Sequence, residues 1–237
     1  FNWTDVFLNQ DHLSRQNSLH CVNLAQGFKE PVIYYQQNKN TKQIDAVKKA
    51  AKDIRNTIGF PTGLWGGDEM LHFGEPTRGS ELCTAVEMMY SLESMLEVTG
   101  DVQWADHLER IAYNALPTQI TDNFDARQYY QQINQVTITN YQRNFSTPHE
   151  KTDIVMGELT GYPCCTSNLH QGWPKFMQNL WYATADNGIA ALVYAPSELT
   201  VRVADNVPVK VTENTSYPFE ETIRFTITFP DEKIKTA

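Results

Sequence analysis

No stretch of about 18 consecutive apolar residues occurs in this chain of 237 residues. No segment therefore reads as a membrane-spanning helix. Positive charge is scarce as well: 19 Lys and Arg stand against 28 Asp and Glu, a formal net charge of -9. A phosphate backbone needs a basic face, so this balance argues against a nucleic-acid partner and favours a neutral or weakly charged ligand. No phosphate-cradling glycine loop or Ser-His-Asp arrangement stands out. Charged residues make up 20% and hydrophobic residues 41%, a globular composition and not a disordered one. The chain opens at Phe1 without an initiator methionine or signal-peptide pattern and stops at Ala237, just after a strand-like run. Both ends are expected to be cut from something longer, which leaves cytoplasmic and periplasmic settings in a bacterium open. Nothing in the sequence sets the oligomeric state.

What is present divides into a helical part and a strand-rich part. Apolar residues at helical spacing run from Ser18 to about Gln37, interrupted by Pro31. Thr41 to Ile58 predicts an amphipathic helix with Ile44, Val47, Ala51, Ile54 and Ile58 on one face, stopped by a left-handed Gly59. A Gly-rich connection from Phe60 to Gly79 follows, and long loops of that kind are usually functional or disordered. Ser80 is expected to cap the next helix, with Glu81 in its first turn and Gly100 at its end. Asp101 caps another helix, to about Leu116, stopped by Pro117. Antiparallel helix pairs in series predict part of an α/α toroid. Arg127 to Tyr141 looks extended, and a last helix is expected from about Ser167 to Tyr182. After Asn187-Gly188 the apolar period changes to two, in the runs Ile189–Tyr194, Leu199–Val203, Val207–Val211 and Ile223–Phe229. The expected division is a helical catalytic part over 1–184 and the first strands of an antiparallel β-sandwich over 185–237.

Four cysteines are few enough to account for singly: Cys21, Cys83, Cys164 and Cys165. Neighbouring cysteines bridge each other only with strained geometry, so thiolates gathered around a metal compete with disulfides as the reading. Cys21 lies on a helical face beside apolar residues and reads as a small buried hydrophobe. Glu81-Leu82-Cys83 at a helix start, together with Cys164-Cys165, supplies three sulfurs and one oxygen, a ligand set suited to zinc. Helix N-termini favour such negative ligands. Pro163 is expected to hold Cys164 and Cys165 on a stiff loop before the last helix.

Gly67-Asp68-Glu69, then Gly79-Ser80-Glu81-Leu82-Cys83, then Gly161-Tyr162-Pro163-Cys164-Cys165-Thr166-Ser167-Asn168 stand in the order seen in the bacterial β-L-arabinofuranosidase family of glycoside hydrolases, which this chain resembles. His20-Cys21-Val22-Asn23, Tyr113-Asn114-Ala115-Leu116-Pro117 and Leu192-Val193-Tyr194-Ala195-Pro196-Ser197 are similar to it too, so the likeness covers nearly the whole chain. The resemblance implies an (α/α)6 toroid of six helical hairpins followed by β-sandwich domains. It implies zinc held by Glu81, Cys83, Cys164 and Cys165, with Cys164 the nucleophile of a retaining mechanism and Glu69 the acid/base. Asp68 rivals Glu69 for that role. Among sugar-contacting positions the resemblance points to His20, Tyr130 and Tyr162, the last standing where the family often carries His. Tyr129 and Gln132 are further candidates for an aromatic-polar wall, and Trp65 for stacking on a sugar or plugging the fold. The implied substrate is an oligosaccharide or small glycoside bearing β-L-arabinofuranosyl residues. Two alternatives stay open: a non-catalytic carbohydrate-binding or scaffold protein with a structural zinc, and a hydrolase for another sugar on the same fold.

Overall fold

A computed structural model describes residues 2–139, 141–147, 154 and 164–229. It forms two compact units, Phe1–Phe176 and Met177–Ala237.

The first unit is built mainly of helices: α1 (Trp3–Leu8), α2 (Asp11–Ser14), α3 (Cys21–Gly27), α4 (Lys29–Asn38) and α5 (Lys42–Thr57). On α5 the periodicity works as expected, since Val47, Ile54 and nearby Ile58 are buried while Lys48, Lys52 and Arg55 are exposed. Gly59 does not take the expected left-handed conformation. It is needed for close approach instead, because a Cβ there would lie 2.8 Å from the Arg55 Cα.

Helix α6 (Leu82–Thr99) buries Leu82, Val86, Met89, Leu92 and Leu96, among others. A helix apolar on so many sides belongs inside a core, and α6 packs against α3, α4 and α7 (Gln103–Arg110). Gly100, at φ 64, ends α6 as predicted, its N–H reaching the Leu96 carbonyl at 2.8 Å. Ser80 is not its cap. Glu81 stands there, in extended conformation, and the Ser80 hydroxyl donates to the Trp65 carbonyl at 2.9 Å. Beyond α7 the chain tightens into a π-helical turn, Ile111–Ala115, and a 3-10 turn, Pro117–Gln119. The last helix, α8 (Cys164–Gln178), begins three residues earlier than expected, so Cys164 and Cys165 occupy its first turn and not a preceding loop.

One small sheet positions the functional candidates. Its strands are β1 (Gly67–Asp68), β2 (Met70–Leu71), β3 (Ser80–Glu81) and β4 (Tyr130–Gln131), in the order β2-β1-β3-β4. Glu69 is the turn between β1 and β2, at φ 75, and Glu81 on β3 pairs with Tyr130 on β4. Among the described residues of the extended run expected from Arg127 to Tyr141, β4 is the strand that forms, preceded by single bridges at Arg127 and Gln128.

The second unit is antiparallel throughout its described part: β5 (Trp181–Ala183) with β6 (Ile189–Ala191), and β7 (Ser197–Val203), β8 (Val207–Thr215) and β9 (Ile223–Thr228) in order. Thr184, the expected boundary residue, sits in the turn of the first hairpin and accepts from the Gly188 N–H at 3.0 Å. Along β8 the burial of Val209, Val211 and Glu213 carries the period of two.

Candidate active site

Two helix N-termini converge on a cluster of sulfur. Glu81 caps α6 and Cys83 is its second residue, while Cys164 and Cys165 open α8. One ligand atom from each of these residues lies within 4.8 Å of the others. The Cys83 and Cys165 sulfurs are 3.2 Å apart, and the Cys165 thiol donates to Glu81 Oε1 at 3.8 Å. All four cysteines are free thiols. Cys83, Cys165 and Glu81 are buried, and Cys164 alone of the four is exposed. Its sulfur lies 2.9 Å from the Tyr129 hydroxyl.

The second glutamate, Glu69, is held beside this cluster by three partners, two on its carboxylate and one on its backbone. His20 Nε2 lies 2.7 Å from Glu69 Oε2, the Tyr130 hydroxyl donates to Glu69 Oε1 at 2.9 Å, and the Cys21 N–H donates to the Glu69 carbonyl at 2.8 Å. The same His20 nitrogen is 3.9 Å from Glu81 Oε2, so one imidazole stands between the two carboxylates. Its other nitrogen accepts from the Val22 N–H at 3.2 Å, which fixes the ring.

These arrangements shift protons in opposite directions. Hydrogen bonds from the Cys165 and Cys83 thiols, with the Tyr129 hydroxyl adding to them, hold the Cys164 thiol well below the usual range. Cys83 is raised by its bond to Cys164, and Cys165 by burial. Of the three thiols Cys164 is thus the one whose surroundings favour the thiolate. Burial, reinforced by the Glu69 charge, pushes Glu81 up to about 7. The bond to Glu69 raises His20. Burial raises both Tyr129 and Tyr130, so both stay neutral donors.

Of the residues singled out in the sequence, the structure brings together Glu81, Cys83, Cys164 and Cys165, and beside them His20, Glu69, Tyr129 and Tyr130. Tyr162 lies outside the described residues. Gln132 turns elsewhere, bonding the Thr77 carbonyl and Arg143. Trp65 is 1% exposed and stacks on Phe28, which makes it a plug. Asp68 is fully buried, paired with Arg78 at 2.5 Å and bonded by the Ser146 hydroxyl at 2.8 Å. Both Asp68 oxygens are thus occupied by Arg78 and Ser146.

Sequence reasoning missed Cys21. Its thiol donates to Glu81 Oε2 at 3.2 Å, and its Cβ fills the space that makes residue 67 a glycine, where an added Cβ would lie 2.3 Å away. The available signal was its position directly after His20. Chemically, three thiols and a carboxylate suit a soft, tetrahedral divalent metal such as zinc, and the short sulfur-to-sulfur approach shows that the donors already converge.

The chain matches the family described as β-L-arabinofuranosidase, GH127 catalytic domain, over residues 8–178. Among solved structures it is similar to a GH127 β-L-arabinofuranosidase from Geobacillus stearothermophilus T6, at 18% identity and a TM-score of 0.71 over 89% of this chain and 33% of that one. The GH127 β-arabinofuranosidase BT3674 matches at 19% identity and a TM-score of 0.68, over 88% and 31%. A structure described as a glycoside hydrolase matches at 19% and 0.72, over 90% and 38%. This chain thus spans about a third of the length of the first two, and the likeness is one of fold. No curated protein matches it.

Proposed function

The chain belongs to the GH127 β-L-arabinofuranosidase catalytic-domain family, and from that membership we propose that it forms the catalytic part of a retaining glycoside hydrolase releasing β-L-arabinofuranosyl residues. Its helical unit corresponds in this reading to part of an (α/α)6 toroid, and its strands to the start of a β-sandwich. The observation that carries the proposal is the meeting of Glu81, Cys83, Cys164 and Cys165 at two helix N-termini, with Glu69 held beside them. Those four residues would hold zinc, which when bound supplies charge that keeps the thiols deprotonated near neutral pH.

The chain's own groups then divide the work. Cys164 is the exposed sulfur and takes the nucleophile's role, its Sγ forming a bond to the anomeric carbon as the glycosidic C–O bond breaks. Glu69 gives its proton to the departing oxygen. In the second half-reaction Glu69 takes a proton from water, whose oxygen bonds the anomeric carbon as the thioglycosyl C–S bond breaks and the thiolate returns. His20 and Tyr130 orient the Glu69 carboxyl through its two oxygens, and Tyr129 steadies the charge on Cys164. A purely structural metal site would have no use for this second carboxyl.

The test is metal analysis of the purified full chain combined with a screen of aryl arabinofuranosides. About one zinc per chain and hydrolysis of the β-L-arabinofuranoside are expected, both lost on chelation. Full activity in metal-free protein would contradict the reading, and selective turnover of another sugar would correct the substrate.

A further inference from the structure

A cleft of about 350 Å³ opens between α5 and α7, and none of the four thiols nor Glu69 or Glu81 lines it. Its size is within the range of small-ligand sites, about 300–1,000 Å³. In a chain with a net charge of -9, the rim is cationic: Lys48, Lys52 and Arg55 come from α5 and Arg110 from α7. Lys48 is neutralised by Asp101 at 2.7 Å, but Lys52, Arg55 and Arg110 form no ion pair among the described residues. Arg110 and Arg55 are close enough to help hold the half-buried His107 imidazole below its usual range, after desolvation itself. The floor contains Trp65 and Trp104, each 1% exposed, whose indole N–H groups have no hydrogen-bond partner among the described residues.

We propose that this cleft binds a sugar acid, a uronate-type monosaccharide or disaccharide, apart from the catalytic cluster. The two guanidinium groups match a carboxylate in charge and in their paired donors. Asp106, on the same wall, can accept from ring hydroxyls and repels a doubly charged hydrogen phosphate more than a singly charged sugar acid, and Asn56 and Gln103 add further polar groups. Among the lining residues the half-buried Phe60 is the aromatic side chain able to meet the apolar face of a sugar ring. The cleft also touches the catalytic loop, because the Trp65 carbonyl accepts from Ser80, next to Glu81.

Calorimetric titration of the full chain with galacturonate, galactose and inorganic phosphate tests the proposal without using turnover. Saturable galacturonate binding is expected, with neither galactose nor phosphate matching it. Arg55→Gln together with Arg110→Gln should weaken it by about 10-fold or more, the loss of charge-assisted bonds, while arabinofuranoside hydrolysis stays unchanged. Both residues are exposed, so the variant should fold, and a thermal melt checks this. A lack of saturable galacturonate binding, equal binding of galactose or phosphate, or an unaltered affinity in the double variant overturns the site. Cys164→Ala should bind galacturonate normally, so loss of the glycosidase reading and loss of this one are told apart.

Discussion

Two buried glutamates on one helix make the most instructive comparison in the molecule. Glu81, at the start of α6, is 1% exposed and pushed up to about 7; Glu93, twelve residues on, is 2% exposed and pushed up to about 8. Burial is the leading cause in both. Their surroundings differ completely. Glu81 touches the Cys21 and Cys165 thiols and stands near His20 and Glu69, whereas neither oxygen of Glu93 has a hydrogen-bond partner among the described residues. A raised pKa therefore reports desolvation and does not identify a working group. The neighbours do.

Four substitutions sharpen that contrast, beginning with the most damaging. Glu81→Gln removes a proposed metal ligand, so metal content measured by plasma emission should collapse and turnover should fall to background. Retained metal would place Glu81 outside the ligand set. Glu69→Gln should slow substrates with poor leaving groups by about 10²–10⁴-fold and activated aryl glycosides much less in bond cleavage. Equal losses on both would remove Glu69 from the acid role. Cys21→Ala deletes a group that orients Glu81, and metal affinity measured against a competing chelator should weaken by about 10–100-fold, as for other partners that position a ligand. An unchanged affinity would return Cys21 to a packing role.

Glu93→Gln should leave metal content and turnover untouched and alter stability alone. Its carboxyl stays protonated in the fold up to about pH 8, but ionises in the unfolded chain above about pH 4.3. Stability at this residue is therefore complete below the lower value, falls as pH rises between the two, and levels off above the upper one. The neutral amide removes that loss. Thermal melts should show a gain on the order of a few kcal/mol at pH 8 and little at pH 4. A pH-independent effect would mean that Glu93 has a partner ion in solution.

The same contrast explains what the sequence revealed. Glu-x-Cys at a helix start and a Cys-Cys pair are local patterns, and the thiols and Glu81 do converge. Helices α5 and α6 follow from periodicity and from Gly100. Local signals failed where long-range contacts decide. Ser80 looks like a cap, but the sheet pulls it into β3, where it bonds Trp65. Cys21 looks like filler until residues 60 positions away bring Glu81 to its thiol. Glu93 reads as an ordinary polar helix position, and only the packing around α6 buries it.

The most direct test is intact and peptide mass spectrometry of the Glu69→Gln variant after exposure to an activated aryl β-L-arabinofuranoside. Without its base the variant should complete the first half-reaction and stall, leaving one pentosyl group on Cys164. Turnover with no sugar on Cys164, or a sugar attached to a carboxylate instead, would contradict the sulfur nucleophile on which the proposed function depends.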